Sequence, residues 1–208
     1  MTHASSTRPI VLTAEDLGFA HPGQPVFAGL SFTIGPGLTF VRGGEGRGKT
    51  SLLRLMAGTL EPASGRIVRH TESVCFDEPA DPAHDQTVVQ HWLDARRERF
   101  PAWQHEVATA LIDAFALTPH IAKPMFMLST GSRRKVGLVV AAASGAALTL
   151  VDMPFAALDG ASRGVVCDLL ADAAEGERAW VMADHELAPC LEDVTLAATL
   201  DLGDDLSD

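Results

Sequence analysis

Apolar residues fall into short runs over the first third of the chain and into wider, periodic spacings over the middle. Residues 10–12, 17–20 and 30–34 are brief apolar stretches, punctuated by His21-Pro22-Gly23-Gln24 and Gly35-Pro36-Gly37. Glycine and proline clusters between β-prone runs mark turns, so this part predicts strands joined by tight connections. Residues 38–41 form another such run and lead straight into a glycine cluster. Lys49–Ala57 carries Leu52, Leu53, Leu55 and Met56 and stops at Gly58, which predicts a helix closed by a glycine. Residues 67–69 and 74–76 are further strand candidates.

From 87 to about 117 the spacing becomes helical: Val88, Trp92 and Leu93, then Trp103, Val107, Leu111, Ile112 and Phe115, with Pro101 dividing two helices. The last third alternates again. It predicts a helix from Gly131, a strand at Leu148–Asp152, a helix at 161–173, a strand at 180–183 and a closing strand at 194–202. The Ala-rich stretch 137–147 predicts a buried helix. Strands alternating with helices predict an α/β core with an inserted helical region, not two independent domains.

Composition narrows the function classes. Of the 208 residues 47% are hydrophobic, enough for a full core, and 21% are charged, which argues against long disorder. No apolar run reaches the roughly 18 residues that span a bilayer. Met1 to Arg8 lack the basic-then-apolar layout of a signal peptide. The net charge is −11, from 27 acidic and 16 basic residues. Phosphate contacts dominate nucleic-acid affinity, so a chain this acidic is not expected to have a nucleic-acid partner. Residues 201–208 predict a solubilising acidic tail, and Asp77, Glu78, Asp81 and Asp85 predict an exposed acidic loop. Cys75, Cys167 and Cys190 are scattered, which predicts neither a disulfide framework nor a CxxC metal site, and points to a reducing cytoplasm.

The glycine cluster carries the chemistry. Gly43, Gly44, Glu45, Gly46, Arg47, Gly48, Lys49 and Thr50 fit G-x-x-x-x-G-K-[ST], after a predicted strand and before a predicted helix. Bare glycines let backbone N–H groups converge on phosphate oxygens, and the helix N-terminus adds its positive dipole end. In this pattern Lys49 reaches the β- and γ-phosphates and the Thr50 hydroxyl holds Mg²⁺. Leu148–Asp152 is an apolar run ending in an acid, as expected of the strand beside such a loop, with Asp152 in the Mg²⁺ shell.

Together these segments resemble the ATP-binding cassette (ABC) ATPases, as the nucleotide-binding subunit of a transporter. The resemblance spans about residues 10–202. Residues 26–34 look like the strand before the phosphate loop. Ser51, Leu52 and Leu53 through Gly58, with Pro62, Gly65 and Ile67, resemble the stretch after it. Leu128, Ser129, Thr130, Gly131 and Ser132 resemble the LSGGQ signature, Ala157-Leu158-Asp159 the D-loop, and His185 the switch histidine. On its own, Asp184-His185-Glu186 reads as a solvated turn. The size resembles small single-cassette subunits, such as those of haem-exporter type.

The resemblance implies a P-loop NTPase fold of ABC type: a central, mostly parallel sheet, an N-terminal antiparallel β region and a helical subdomain at about 87–135. All of it would form one ATP-binding domain over 1–208, with 203–208 as acidic tail. It implies ATP and Mg²⁺ as cofactors, with the phosphate loop extending to Ser51. It also implies a second cassette, as homo- or heterodimer, whose bound ATP meets Ser129 and the helix start near Gly131. A separate membrane-spanning transporter subunit would dock on residues 87–117 and the acidic loop before them. The chain itself would not insert, and would sit at the cytoplasmic side, peripheral to the membrane. A P-loop kinase or an SMC-like repair ATPase is a competing reading; the motif order, the acidic charge and the lack of coiled-coil insertions stand against it.

Several positions depart from the family pattern. A catalytic Glu is expected after Asp152, and the run is Asp152-Met153-Pro154. A thioether cannot accept a proton from water, and general-base catalysis contributes on the order of 10²–10⁴-fold. Hydrolysis is therefore expected to be weak. An active ATPase with a substitute carboxylate is the alternative, with Glu78, at the family's Q-loop position, as the substitute. His21 stands where an aromatic stacks on adenine, and Thr130 and Ser132 replace a Gly and a Gln of the signature.

Overall fold

The computed structural model describes residues 9–203; the expectations for Met1 to Arg8 and for the tail beyond 203 lie outside the described residues. In chain order the elements are β1 (Leu12–His21), β2 (Gln24–Ile34), β3 (Gly37–Arg42), α1 (Lys49–Ala57), β4 (Ser64–Arg69), β5 (Val74–Cys75), α2 (Val89–Arg99), α3 (His105–Ala114), α4 (Thr130–Ala143), β6 (Leu148–Asp152), α5 (Gly160–Glu175), β7 (Ala179–Asp184) and β8 (Ala198–Asp201). They build a three-stranded antiparallel sheet, β2-β1-β4, and a five-stranded parallel sheet, β5-β6-β7-β3-β8.

Residues 10–12 and 17–20 are not separate strands. β1 runs unbroken from Leu12, the last residue of the first run, through the second, because β2 and β4 pair with its two edges. A register shift between Ala14 and Leu17, with Asp16 at φ 46°, interrupts the apolar alternation and makes one strand look like two. The closing strand is shorter than its apolar run. β8 pairs only with Thr39 to Arg42 of β3, so residues 194–197 stay outside the ladder.

Alternation along the parallel strands assigns each face a partner. Leu38, Phe40, Val151, Trp180 and Met182 point to the face covered by α4 and α5. Val41, Leu148, Leu150, Val181 and Ala183 point to the opposite face, against α1 and the antiparallel sheet. The helical segment adds to the first cluster: Trp92, Phe115 and Met125 are fully buried with Val136 and Val139 of α4. The expected limit of that segment at residue 135 falls inside α4.

Two cysteine and charge expectations are corrected. Cys167 of α5 and Cys190 are joined in a disulfide, their Cα atoms 6.0 Å apart, so a pair 23 residues apart in sequence meets in space. Asp77 is not part of an exposed acidic loop. Its side chain is 6% exposed and pairs with Arg96 of α2 at 2.9 Å, because the chain after β5 turns inward against α2. Burial nevertheless pushes the Asp77 carboxyl above its ordinary range, against the pull of Arg96.

Arg178, just before β7, closes the end of α4. Its guanidinium donates to the carbonyls of Ala141, Ala142 and Ala146 and to the hydroxyl of Thr149 on β6, at 2.7–3.1 Å. These include the carbonyls of Ala141 and Ala142 in the last turn of α4, which lie beyond the reach of the helix's own N–H groups. Arg178→Met leaves several acceptors unpaired and is expected to lower unfolding free energy by about 2–4 kcal/mol. Arg178→Lys should recover only part of the loss, since an ammonium cannot span the same acceptors. Urea unfolding of the two variants beside the unmodified protein measures both.

Candidate functional site

Parallel pairing sets the site. Register places Arg42 opposite Asp184 across β3 and β7, and Asp152 opposite Ala183 across β6 and β7. The three strands therefore end level, and the segments that follow them, Gly43–Gly48, Met153 and His185, emerge together. Ligand sites of open α/β sheets form at such carboxyl ends.

The loop after β3 folds as its glycines allow. Gly46 (φ 72°) and Gly48 (φ 84°) lie in the left-handed region, and a Cβ on Gly48 would fall on the Val26 side chain of β2. Gly48 is the N-cap of α1 and its carbonyl accepts from the Leu52 N–H at 2.8 Å. The chain end braces the loop: Gly44 donates to the Gly203 carbonyl at 3.0 Å, and Arg47 to that of Leu202 at 2.8 Å.

Within this frame four of the expected residues meet. Lys49 is buried and its ammonium donates to the carbonyls of Gly43 (2.6 Å) and Gly44 (2.7 Å), folding back over its own loop. His185 Nδ1 lies 3.4 Å from the same ammonium. The Thr50 hydroxyl donates to Asp152 Oδ2 at 2.5 Å, while Asp152 Oδ1 is buried without a hydrogen-bond partner. Burial pushes the Asp152 carboxyl up, as does the charge of Glu78; the Thr50 bond, Lys49 and Arg134 oppose the rise.

The remaining expected residues are distributed around this centre. Met153 sits at φ 45°, an uncommon conformation for a residue other than glycine, its N–H bonded to the Ala183 carbonyl at 2.8 Å. Glu78 is engaged by Arg54 of α1 through two bonds, at 2.6 and 3.2 Å. A cavity of about 160 Å³ joins Glu78 and Asp152 to Thr130 and Arg134 of α4. His21 is the exposed last residue of β1, edge-on to Phe19. Glu45 is exposed, and Ser51 is half-buried in the first turn of α1.

Leu128, Ser129, Thr130, Gly131 and Ser132 form the start of α4. Ser129 is its N-cap and accepts from the Ser132 N–H at 3.1 Å. Gly131 packs against the loop after β6 so closely that a Cβ would fall on the Ala157 carbonyl oxygen. Lys135 bonds Asp159 at 2.7 Å, and Asp159 in turn caps α5 through the Ser162 N–H. The Lys135 bond, together with that cap, holds the Asp159 carboxyl well below the usual carboxylate range. Sequence reasoning missed Arg134, whose guanidinium bonds the Ala156 carbonyl at 2.5 Å and faces Asp152 and Asp184. Its signal was available: it lies one helical turn after Thr130, on the same face.

Comparison with known proteins agrees with this arrangement. The ABC transporter family matches residues 27–156. A "Cytochrome c biogenesis ATP-binding export protein CcmA" of Rhodospirillum rubrum is 38% identical over 177 residues, covering 78% of this chain and 75% of that one. A protein of the same name from Cupriavidus pinatubonensis is 36% identical over 194 residues, covering 86% and 85%. Among solved structures, an ATP-binding subunit of an ABC transporter superposes with a TM-score of 0.73 at 17% identity, covering 93% of this chain and 87% of that one. An ATP-binding cassette in its ADP conformation superposes with a TM-score of 0.61 at 16% identity, covering 94% and 89%. These two likenesses show the fold. The chain belongs to the ABC transporter family, as one of its single-cassette ATP-binding subunits.

The state of Asp152 gives a pH-dependent expectation. A carboxyl raised by burial destabilises the fold once ionised, so the stability it contributes is present below the ordinary carboxylate pKa of about 3.9 and is lost as pH rises through the folded value. Asp152→Asn mimics the protonated group. Without nucleotide or metal, the variant should match the unmodified protein near pH 4 and become the more stable of the two as pH rises to 8. Denaturant midpoints across that range measure the difference; a gap that widens on acidification would contradict it.

Proposed function

We propose that the chain forms one ATP-binding domain, with residues 87–135 as an inserted helical subdomain, that binds MgATP at a cassette dimer interface and drives or gates a separate membrane-spanning subunit with weak hydrolysis of its own. The observation that carries the reading is the meeting of Lys49, Thr50, Asp152 and His185 at one strand end, with Met153 next in line. No helix among the described residues is long and apolar enough to cross a membrane, which fits a subunit held at the cytoplasmic side by a partner. Both relatives are named as export proteins of cytochrome c biogenesis, and we extend that export role to this chain.

The donor set fits a hard divalent cation. Thr50 and Asp152 offer oxygen ligands already bonded to each other, and the buried Asp152 Oδ1 has no partner to lose. Mg²⁺ held there would neutralise phosphate charge. Lys49 would exchange two loop carbonyls for phosphate oxygens, and the loop N–H groups from Glu45 to Thr50 would donate to the same phosphates. His185, beside Lys49, would hold the terminal phosphate and orient water, and His21 would lie against the base. Ser129, Thr130 and Gly131, at the N-terminus of α4, would meet phosphate bound by the partner cassette.

Removal of the proton is the step with no provider. Met153 has no basic atom, and the nearest substitute, Glu78, is engaged in two bonds to Arg54. Binding and turnover therefore separate, and in a heterodimer the partner's own glutamate would supply one working site. Residues 77–86 with the adjoining helices 87–117 would form the docking face for the membrane subunit.

Met153→Glu restores the missing acid at a backbone position that an unbranched side chain already occupies. It is expected to raise ATPase activity by about 10²-fold, with MgATP affinity little changed. Adding Lys49→Ala should abolish both activity and binding. Colorimetric phosphate release and nucleotide fluorescence titration read the two effects; unchanged turnover in a variant that binds MgATP would place the base elsewhere.

A further inference from the structure

The disulfide between Cys167 and Cys190 lies on the two segments that frame the site from behind. Cys190 is in the exposed turn Pro189–Leu191, five residues after His185; Cys167 is half-buried on α5, one helical turn after Arg163. A groove of about 300 Å³ separates these segments, lined by Phe155, Ala156 and Arg163 on one side and by residues 184–189 on the other. Arg163 bonds the Phe155 carbonyl at 3.1 Å, so α5 is fixed to the loop that follows Met153. The opposite wall, the stretch from His185 to Pro189, is held at its start by β7 and at its end by the buried Leu191 and the disulfide.

We propose that Cys167 and Cys190 form a reversible dithiol–disulfide site, and that its state sets how firmly the segment carrying His185 is held against α5. The inference rests on the reading of His185 as part of the ATP site and of the chain as a cytoplasmic subunit. Disulfides that form in a reducing compartment are mostly transient, catalytic or redox-sensing. The exposed sulfur is the one open to exchange. A thiolate of a dithiol reductant attacks Cys190 Sγ, the bond to Cys167 breaks, and Cys167 leaves as a thiolate that takes a proton from solvent. The second thiol of the reductant then displaces Cys190 as a free thiol. Two electrons pass to the protein, and the reductant ends as its own disulfide. The third cysteine stands outside this chemistry: Cys75 is buried, with its thiol pushed up to about 12 by burial.

The geometry gives the consequence. With the bond intact the turn at 189–191 cannot leave α5, and His185 is confined between two anchored ends. With the bond open, the buried Ala188 and Leu191, the partly buried Leu187 and the local turn bonds hold that end without a covalent tie, so the segment opens more often.

The test uses the whole protein in its disulfide and dithiol forms, set by oxidised and reduced dithiothreitol without denaturant. Maleimide labelling should show two thiols appearing together on reduction, with Cys75 unreactive until the protein is unfolded. Hydrogen exchange should be roughly tenfold faster at the hydrogen-bonded amides of His185, Leu191 and Glu192 in the dithiol form, and MgATP affinity about fivefold weaker. Cys167→Ser and Cys190→Ser should each match the dithiol form and ignore the redox buffer. Thiols that stay blocked until unfolding, equal exchange at the amides of His185, Leu191 and Glu192 in both forms, or an unchanged MgATP affinity would each overturn the proposal. If neither form binds MgATP, the nucleotide reading falls by itself, and the exchange rates of the His185 and Leu191 amides still decide the redox site.

Discussion

Parallel pairing of β3, β7 and β6 is the constraint from which the site follows. Because Arg42 sits opposite Asp184 and Asp152 opposite Ala183, three chain segments far apart in sequence leave the sheet at one edge. A slip of one residue in β6 would turn Val151 toward α1 and Leu150 toward α4, and would carry Asp152 away from Thr50. Side-chain alternation thus fixes the fold and the chemistry through the same register. The apolar faces supply the energy that holds the register, and the charged ends only exploit it.

Charge at that edge is concentrated and incompletely balanced. Lys49 is buried over loop carbonyls, Asp152 is half-buried with its buried Oδ1 unsatisfied, and Arg134 loses solvation as it faces Asp152. An orphaned buried acceptor costs free energy unless a ligand satisfies it. Surrounding contacts hold the neighbouring segments together. Lys135 to Asp159, Arg134 to the Ala156 carbonyl and the close approach of Gly131 to Ala157 tie the start of α4 to the loop after β6.

Much of this was legible in the sequence. The phosphate loop, helix α1 with its closing Gly58, and the strand Leu148–Asp152 follow from local signals: glycine spacing, a cap and an apolar run ending in an acid. What sequence could not supply is contact between distant segments. Cys167 and Cys190 are unremarkable in spacing, and only the packing of α5 on the turn after Ala188 brings them together. Asp77 reads as one acid among four, until α2 places Arg96 against it. Glu78 reads as a free carboxylate, until α1 places Arg54 beside it. Long-range partners decided each of these, and local pattern carries no information about them.

The chain is proposed to hold MgATP and to hydrolyse it only weakly, because a residue with no basic atom follows Asp152. The most direct measurement incubates the purified protein with MgATP, isolates the dimer at intervals and determines whether the bound nucleotide is ATP or ADP. The account predicts intact ATP in the dimer over many minutes. Release of ADP and phosphate at an ordinary enzymatic rate, about one per second or faster, from a preparation free of other ATPases would contradict it.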